Sequence, residues 1–418
     1  LSECFPCERQ LAIPWRNVSA LHHSINYRTL WDGHRAARIC TLSRMDTCIC
    51  DISALRFWDT PPLVTAIMGS GPEDARALGF SSAEQMETVQ RSVLKESRLY
   101  AICSKGGRRW NAASDHSLNL REVAPLLAAG LEPPVHVLAR TQSERYCSEL
   151  VTPALWTSEI PPGAFIQIAE SVRVATPEFA LLQLAKRLGL NKCLLIASGL
   201  CGTYAEYRAP RSLERCLAIA ARKGGWKPYL IGGKLQRLWQ REPLVTPNSI
   251  RRMATYASHA RGAGKLRQVA ELVFPGAASP FESKAGLILG LPASLGGYGH
   301  TGMIHNKQVL LRMGSQRLSE KRCCYCDLYW EEGVDIECQS RMAHDNEASF
   351  LSDAERAAAL LNEGITVLPL TYAQLSDRSR LDEFAHVLSK LREIAPKSRN
   401  DRQLQKANAL FNDLLRPF

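Results

Sequence analysis

Residues 326–340, CDLYWEEGVDIECQS, most constrain the fold, because apolar and polar residues alternate on both sides of a single glycine. This alternation predicts two strands, and the triplet EEG at 331–333 predicts a three-residue turn with Gly333 at positive φ. The resulting hairpin pairs Trp330 with Val334, Leu328 with Ile336, and Asp327 with Glu337. We therefore predict that two carboxylates are cross-strand neighbours.

The predicted hairpin has two chemically different faces. The apolar face, which can pack on a core, carries Cys326, Leu328, Trp330, Val334, Ile336 and Cys338. The polar face carries Tyr325, Asp327, Tyr329, Asp335, Glu337 and Gln339. Because like charges at paired positions destabilise a sheet, the pair of Asp327 and Glu337 needs water, a shared proton or a divalent cation. We expect Asp335, near the turn, to be solvated.

The chain of 418 residues is long enough for two or three domains. No stretch approaches eighteen consecutive apolar residues and no secretory leader is recognisable, so we expect a cytoplasmic protein without a membrane span. We expect the 14 cysteines to be mostly reduced thiols. Cys323, Cys324 and Cys326 lack the matching second pair of a structural zinc site.

Positive charge is concentrated in residues 208–267, which contain 14 Lys and Arg residues but only two acidic residues, Glu214 and Glu242. Aromatic residues are interleaved with them, a pattern typical of phosphate-backbone binding, although a solvated helical face is the plain alternative. The candidate nucleic-acid contacts are Arg222, Lys223, Lys227, Lys234, Arg237, Arg251, Arg252, Lys265 and Arg267.

Periodicity and punctuation predict an α+β multidomain protein. The predicted parts are a leader at 1–44 of uncertain origin, an α+β domain at 45–205, a basic helical linker at 206–278, and a domain with C-terminal helices at 279–418. Helices are predicted at 51–58, at 176–189 with Thr176 as N-cap, at 248–273, at 352–364 with a Ser352/Glu355 capping box, and at 401–415.

The last part, with SPFESK, CDLYW, DIECQS and a following helix and strand, resembles the PD-(D/E)xK restriction-endonuclease-like fold of the very-short-patch-repair and DUF559 type. This resemblance implies a central mixed sheet flanked by helices and a Mg²⁺- or Mn²⁺-dependent endonuclease. It implies metal ligation by Asp327 and Glu337, with Gln339 where the family usually has lysine. It also implies roles for Glu282 and His344.

Several of these residues have a plain structural explanation as well. Glu282 follows Ser279 by three positions and can serve only to cap a helix. Asp353 and Arg356 are more simply an ion pair within a helix. His344 as a surface residue needs no further role, and Lys284, His300 and His305 are weaker candidates.

Residues 45–204, with DISALRFW, PVHVLAR and TPEFALLQLA, loosely resemble AbiEi-type antitoxins and regulators. Three hypotheses follow. The first is a DNA endonuclease-like protein of a bacterial defence or mobile-element system. The second is a non-catalytic, DNA-binding antitoxin or regulator with a degenerate nuclease fold, for which a toxin would be the partner. The third is a structural docking protein without a nucleic-acid role.

Overall fold

The computed structural model describes most of the chain from residue 47 onward. The described residues are 47–105, 126, 130–145, 147–169, 171–220, 226–339, 347–395 and 398–416. Side chains within them are described except at 103–105, 218–220 and 347–353. The predicted leader at 1–44 lies outside the described residues, as do Arg222, Lys223 and His344.

The described residues form a mixed α+β structure with fifteen α-helices and three sheets, which confirms the predicted fold class at this level. The strands of the first sheet are β1 Thr47–Ile49, β2 Val135–Ala139, β3 Val151–Leu155, β4 Phe165–Gln167 and β5 Val172–Ala175. Their order is β3-β2-β1-β5-β4. The β1/β5 and β2/β3 pairs are parallel, and the β1/β2 and β4/β5 pairs are antiparallel.

The predicted short helix after β1 is confirmed as α1, Asp51–Trp58. Its buried Trp58 donates from Nε1 to the carbonyl oxygen of Ala175, at the end of β5, over 2.8 Å. This bond places α1 against the sheet, because a buried indole N–H needs an acceptor.

The second sheet is small and packs one face on helices. Its strands are β6 Tyr204–Glu206, β7 Lys227–Ile231 and β8 Lys234–Gln240, in the order β6-β8-β7. The nearby helices are α2 Pro62–Gly69, α3 Ala83–Glu96, α4 Arg98–Lys105 and α7 Arg211–Ala220. Trp239 is buried in the same apolar cluster as residues of α2, α3 and α7. The segment predicted as a helical linker thus also contains a β-hairpin.

Four further helices are α5 Pro177–Ala185, α6 Leu190–Leu200, α8 Pro247–Tyr256 and α9 Ala263–Leu272. The prediction of one helix over 248–273 is wrong, because Gly262 adopts φ 104 and separates α8 from α9. A Cβ at this glycine would lie 2.9 Å from the backbone nitrogen of Lys186, so only glycine permits this approach. The predicted helix 176–189 also ends early, and Gly189 is the N-cap of α6.

The third sheet contains the predicted hairpin. Its elements in chain order are α10 Pro280–Gly290, β9 Ile304–Leu310, α11 Met313–Ser319, β10 Cys323–Trp330, β11 Val334–Gln339, α12 Glu347–Asn362 and β12 Thr366–Thr371. The sheet order is β12-β11-β10-β9, with β11 and β12 parallel and the other pairs antiparallel. The chain closes with α13 Tyr372–Ser376, α14 Arg378–Leu391 and α15 Asp401–Leu415.

Helix α12 corrects one prediction and confirms another. It begins at Glu347, so Ser352 lies inside the helix and the predicted Ser352/Glu355 capping box is wrong. Its predicted end is confirmed, since Gly364 adopts φ 82 and the Ile365 N–H donates to Leu360 oxygen over 2.9 Å. The closing helix α15 has the predicted bounds.

One large apolar core joins the first and third sheets. It includes Ile49 of β1, Phe179 of α5, Ile288 of α10, Trp330 of β10 and Leu414 of α15. This continuity fixes α10 and the hairpin relative to the first half of the chain, because interior packing is dense and resists displacement. None of the described helices combines the length and apolarity that a membrane crossing requires.

Candidate functional site

The hairpin of β10 and β11 has the predicted register from Leu328 to the turn, whereas the predicted pair of Asp327 with Glu337 is not among its paired residues. Its pairs are Leu328 with Ile336, Tyr329 with Asp335, and Trp330 with Val334. Gly333 supplies the turn at φ 81, and its N–H donates to the Trp330 carbonyl oxygen over 3.0 Å. A Cβ on Gly333 would approach the Gly364 carbonyl oxygen to 2.8 Å.

The prediction of one continuous apolar face is wrong. Leu328 and Trp330 are buried in the main core, whereas Cys326 is buried in a separate cluster with Ala359 and Leu360 of α12. Tyr329, assigned by alternation to the polar face, packs against this second cluster. The hairpin is therefore covered on both sides, and the alternation of its strand changes face near Asp327.

Asn306 of β9 lies across from this change in the neighbouring strand. Lys307 pairs with Cys326 and His305 pairs with Leu328, while Asn306 between them adopts the left-handed φ of 49. Asn visits this conformation more easily than most residues. The irregularity lies beside Asp327, and such breaks in a strand often redirect a side chain next to a functional site.

The Asn306 side chain also orients Glu282. Its Nδ2 donates to Glu282 Oε2 over 2.8 Å and to the Gly276 carbonyl oxygen over 2.9 Å. The same Glu282 oxygen accepts from Ala278 N–H over 2.7 Å, and Oε1 accepts from the Ser279 hydroxyl over 2.8 Å. Glu282 therefore helps to close the start of α10, as the capping explanation predicts, and its buried carboxylate is also held in one orientation.

Asp327 lies beside this carboxylate. Burial raises the pKa of Glu282 to about 7, and the charge of Asp327 adds to this effect. Asp327 is half-buried, and its Oδ2 accepts from the Cys338 N–H over 2.8 Å. Burial also raises the pKa of Asp327 to about 6, although that hydrogen bond and Arg356 oppose the rise. The carboxyl group of Asp327 on β10 thus acts electrostatically on that of Glu282 on α10.

Asp335 is fully buried, so the prediction that it is solvated is wrong. The physical reason is that the hairpin is covered by α12 on the side that carries Tyr329 and Asp335. The Cys326 thiol and the Leu328 backbone reach the Asp335 carboxylate, but neither oxygen has a well-formed hydrogen bond to a described residue. Burial raises the pKa of Asp335 to about 7, while Cys326 and Arg356 act in the opposite direction.

Glu337 forms an ion pair with Arg356 of α12. The side chain of Asp353, the predicted partner of Arg356, lies outside the described residues. Arg356 also lowers the pKa values of Asp327 and Asp335, so this one guanidinium offsets charge on three carboxylates of β10 and β11. We call Glu282, Asp327, Asp335, Glu337 and Arg356 the acidic cluster.

The thiol of Cys338 lies among the same carboxylates. Burial raises the pKa of Cys338 well above its ordinary value, followed in order by the charges of Asp327, Glu282 and Asp335. Because all three carboxylates act on one thiol, Cys338 marks where they come together. Its thiol stays protonated at neutral pH.

The other predicted site residues are more dispersed. Gln339 is half-buried at the end of β11, opposite Thr371. His300 and His305 are buried, and burial lowers the pKa of each to about 4, so both are neutral near pH 7. Lys284 is half-buried on α10, two residues beyond Glu282.

Most of the described basic candidates are exposed. They are Lys227, Lys234 and Arg237 on the β7–β8 hairpin, Arg251 and Arg252 on α8, and Arg267 on α9. Lys265 differs, because its Nζ donates to the carbonyl oxygens of Ala185 and Leu188 and closes the end of α5.

A divalent cation can be tested against these residues. Among the residues that the structure describes, no three or more His, Cys, Asp or Glu side chains form a group that could hold a metal ion. Mg²⁺, however, often uses only one or two carboxylates and takes its other ligands from water and phosphate. Asp327 and Glu282 fit that use, whereas Glu337 fits it only after Arg356 releases its carboxylate.

Sequence reasoning missed Asn306, the pairing of Arg356 with Glu337, and the burial of Asp335. An asparagine inside a strand is unusual, which is a signal for Asn306 that the sequence contains. The role of Arg356 has no comparable local signal, because its partner is on another element. A search of family models, of curated proteins and of solved structures finds no match to this chain.

Proposed function

We propose that this chain is a Mg²⁺-dependent phosphodiesterase acting on DNA, with the acidic cluster as its active site. The observation that carries the proposal is that Asn306, opposite Asp327 in the β9/β10 pairing, donates to Glu282 over 2.8 Å. The carboxylates of Asp327 and Glu282 therefore lie close together although they come from different elements, and the charge of Asp327 raises the pKa of Glu282. A folded protein rarely retains interacting, partly desolvated carboxylates without a cation or a proton to offset them.

The order of elements supports the proposal. A helix with a carboxylate, α10, precedes the three antiparallel strands β9, β10 and β11, and helix α12 then leads to the parallel strand β12. The resemblance to the PD-(D/E)xK fold implies the same succession, with acids on the helix and on two strands. The order is a property of the whole third sheet and not of one motif.

The chain's own residues define what each group does. Asp327 and Glu282 would hold the cation, which when bound supplies charge stabilisation and lowers the pKa of a water molecule. Asn306 keeps Glu282 in position through the 2.8 Å bond to Oε2. Arg356 can exchange Glu337 for a phosphate oxygen, because guanidinium groups bind phosphate well. Gln339 would orient water through its amide, without the charge of a lysine.

Cleavage of supercoiled plasmid DNA with MgCl₂, MnCl₂ or EDTA tests the proposal. We expect nicking that needs a divalent cation and that is lost in Asp327→Asn and Glu282→Gln, two variants that preserve side-chain size. Asp382→Asn, at an exposed residue of α14, is the matched control and retains wild-type nicking. Wild-type nicking in EDTA, or nicking that survives in Asp327→Asn, would contradict the proposal.

A second candidate function is a DNA-binding regulator or antitoxin without catalysis, and the Glu337–Arg356 ion pair favours it. In this case the guanidinium of Arg356 permanently occupies the position that a metal cation would take. Calorimetric titration of Arg356→Ala and wild type with Mg²⁺ separates the two functions. A metal site predicts uptake in both proteins, with tighter binding in Arg356→Ala, whereas a degenerate site predicts no uptake in wild type. A toxin partner belongs to this second proposal.

A further inference from the structure

The β7–β8 hairpin is a tight and positively charged projection of the second sheet. Ile231 pairs with Lys234, and the two residues between them, Gly232 and Gly233, have φ values of 54 and 75. Positive φ at both positions is typical of a two-residue hairpin turn. No heavy atom lies within 4 Å of a Cβ built on either glycine, so the tip has open space around it. Lys227, Lys234 and Arg237 are exposed along its strands.

The base of this hairpin is attached to the start of α10. Tyr204 of β6 pairs with Gln240 of β8, and Gln240 also pairs with Lys227 of β7, so these residues form one row across the sheet. The Tyr204 hydroxyl is 3.0 Å from the Ser283 hydroxyl, which is buried on α10. Because Ser283 follows Glu282, this row ends beside the acidic cluster.

Backbone bonds strengthen the same attachment. The Thr203 N–H donates to the Ala277 carbonyl oxygen over 2.8 Å, and the Gly276 N–H donates to the Cys201 carbonyl oxygen over 3.0 Å. The Gly276 carbonyl oxygen also accepts a hydrogen bond from the Asn306 side-chain amide, which orients Glu282. The second sheet and the acidic cluster therefore share the segment that precedes α10, and their separation is set by short hydrogen bonds.

Tyr229 lies at the irregular point of this hairpin. The β7–β8 register shifts between Pro228 and Leu230, so Tyr229 is opposite three residues of β8, 236–238. Such irregularities redirect side chains and are frequent next to active sites. Tyr229 is 43% exposed, which is high for a large aromatic side chain.

The electrostatics of Tyr229 agree with a position facing the cluster. Burial raises the pKa of its phenol, and the carboxylates of Glu282 and then Asp327 raise it further. The phenol therefore stays protonated and is a neutral O–H donor near two acids. A neutral donor is suited to a phosphate in this position, because it attracts the phosphate without neutralising the carboxylates that would hold the cation.

We propose that the β7–β8 hairpin is the arm that holds a DNA strand across the acidic cluster, and that Tyr229 donates its hydroxyl to the phosphate bound beside Asp327 and Glu282. Lys227 and Lys234 contact the neighbouring phosphates of that strand. This inference rests on the proposed function for the reacting phosphate. The proposal that the hairpin holds DNA rests only on the positive charge of the hairpin and on its attachment to the segment before α10.

Cleavage kinetics of Tyr229→Phe test the hydroxyl. Loss of one hydrogen bond to a charged oxygen predicts a cleavage rate at saturating DNA lowered by about tenfold or more. The Kd for DNA in EDTA is expected to change less than about twofold, since one neutral contact among many phosphate contacts is lost. Tyr256→Phe is the matched control, because Tyr256 is 54% exposed and lies in the same basic segment at the end of α8. It is expected to cleave like wild type.

Salt-dependent binding of Lys227→Ala/Lys234→Ala tests the arm without requiring catalysis. Fluorescence anisotropy of a labelled duplex, measured between low and moderate NaCl, gives the slope of log K against log salt. Loss of two phosphate contacts predicts that the slope falls by about 1.8. Lys95→Ala/Lys390→Ala, at exposed residues of α3 and α14, removes the same charge and is expected to leave the slope unchanged.

The outcomes separate this inference from the proposed function. Wild-type rates in Tyr229→Phe, with cleavage still lost in Asp327→Asn, overturn the inference and leave the function standing. DNA binding without cleavage contradicts the proposed function. In that case the salt dependence of Lys227→Ala/Lys234→Ala alone tests whether the β7–β8 hairpin holds DNA. A slope unchanged in Lys227→Ala/Lys234→Ala overturns the arm in either case.

Discussion

The region of the first sheet and the third sheet each bury an aspartate, but they treat its charge differently. Asp51, the first residue of α1 after β1, has φ 54, and its Oδ1 is 2.5 Å from Arg187 Nη2 and accepts from Ile52 N–H over 2.7 Å. Its own N–H donates to Gln183 over 2.9 Å. In the third sheet Asp335 has only the Cys326 thiol and the Leu328 backbone as polar neighbours and no well-formed hydrogen bond to a described residue. Full satisfaction is typical of a structural carboxylate, and incomplete satisfaction favours a site that binds something else.

The two regions also differ in how one arginine is shared. Arg187 is committed to Asp51, whereas Arg356 pairs with Glu337 and also acts on Asp327 and Asp335. One guanidinium cannot neutralise several carboxylates, so the third sheet retains negative charge that a proton or a cation can offset. We therefore expect substitutions in the first sheet to affect stability and those in the third to affect activity.

The largest expected effect is on catalysis at Asp327. Asp327→Asn removes a charge that would hold the cation, and an electrostatic group of this kind contributes roughly 10²–10³ to a rate. We expect plasmid nicking to fall by about that factor while the thermal unfolding midpoint does not decrease. Asp51→Asn is the comparison in the first sheet, where nicking per folded molecule is retained. Equal loss of nicking in both variants would remove the distinction between the regions.

Removal of Arg187 should destabilise the protein without altering the candidate site. Arg187→Met keeps much of the aliphatic packing but leaves buried Asp51 with an uncompensated acceptor, at a cost of about 1–3 kcal/mol. Urea unfolding measures this loss. Arg140→Met, which removes hydrogen bonds to the Trp156 and Ser158 carbonyl oxygens but no ion pair to Asp51, is a control for arginine loss in the same sheet. Unchanged stability in Arg187→Met would mean that Asp51 does not depend on this pair.

Protonation of Asp335 should make stability depend on pH in the absence of divalent cations. Its folded-state pKa of about 7 is above the ordinary value of 3.8, so the folded protein binds the proton more tightly than the unfolded chain does. The resulting stabilisation is complete below the ordinary value and is lost as the pH rises towards 7. In EDTA we expect the unfolding midpoint of wild type to fall between pH 5 and about 8 by more than that of Asp335→Asn. A parallel decrease in both proteins would refute the role of Asp335.

The smallest expected effect concerns Asn306. Asn306→Gly keeps the left-handed backbone accessible but removes the bond to Glu282, whereas Asn306→Ala removes the bond and also strains the backbone. We expect the alanine variant to be less stable than the glycine variant by about 1 kcal/mol or less, measured by urea unfolding. Nicking should decrease similarly in both, because Glu282 loses the same partner. Equal stability of the two variants would show that φ 49 imposes no strain.

Much of the fold follows from local patterns in the sequence. The predicted helices at 51–58 and 401–415 have the bounds of α1 and α15, because their ends are set by adjacent polar residues and prolines. The wrong predictions share a non-local cause. The break at Gly262 depends on the approach of Lys186, and the start of α12 at Glu347 precedes the local capping signal. Neighbouring residues carry no information about such contacts.

The sequence by itself determined the hairpin, because alternation of period two and one glycine at positive φ suffice to set its register. It also determined that Asp327 and Glu337 belong to the same pair of strands. Only the tertiary structure decided which charges are buried and which groups offset them. The reason is that burial of Asp335 and recruitment of Arg356 require α12 to cover one particular side of the sheet.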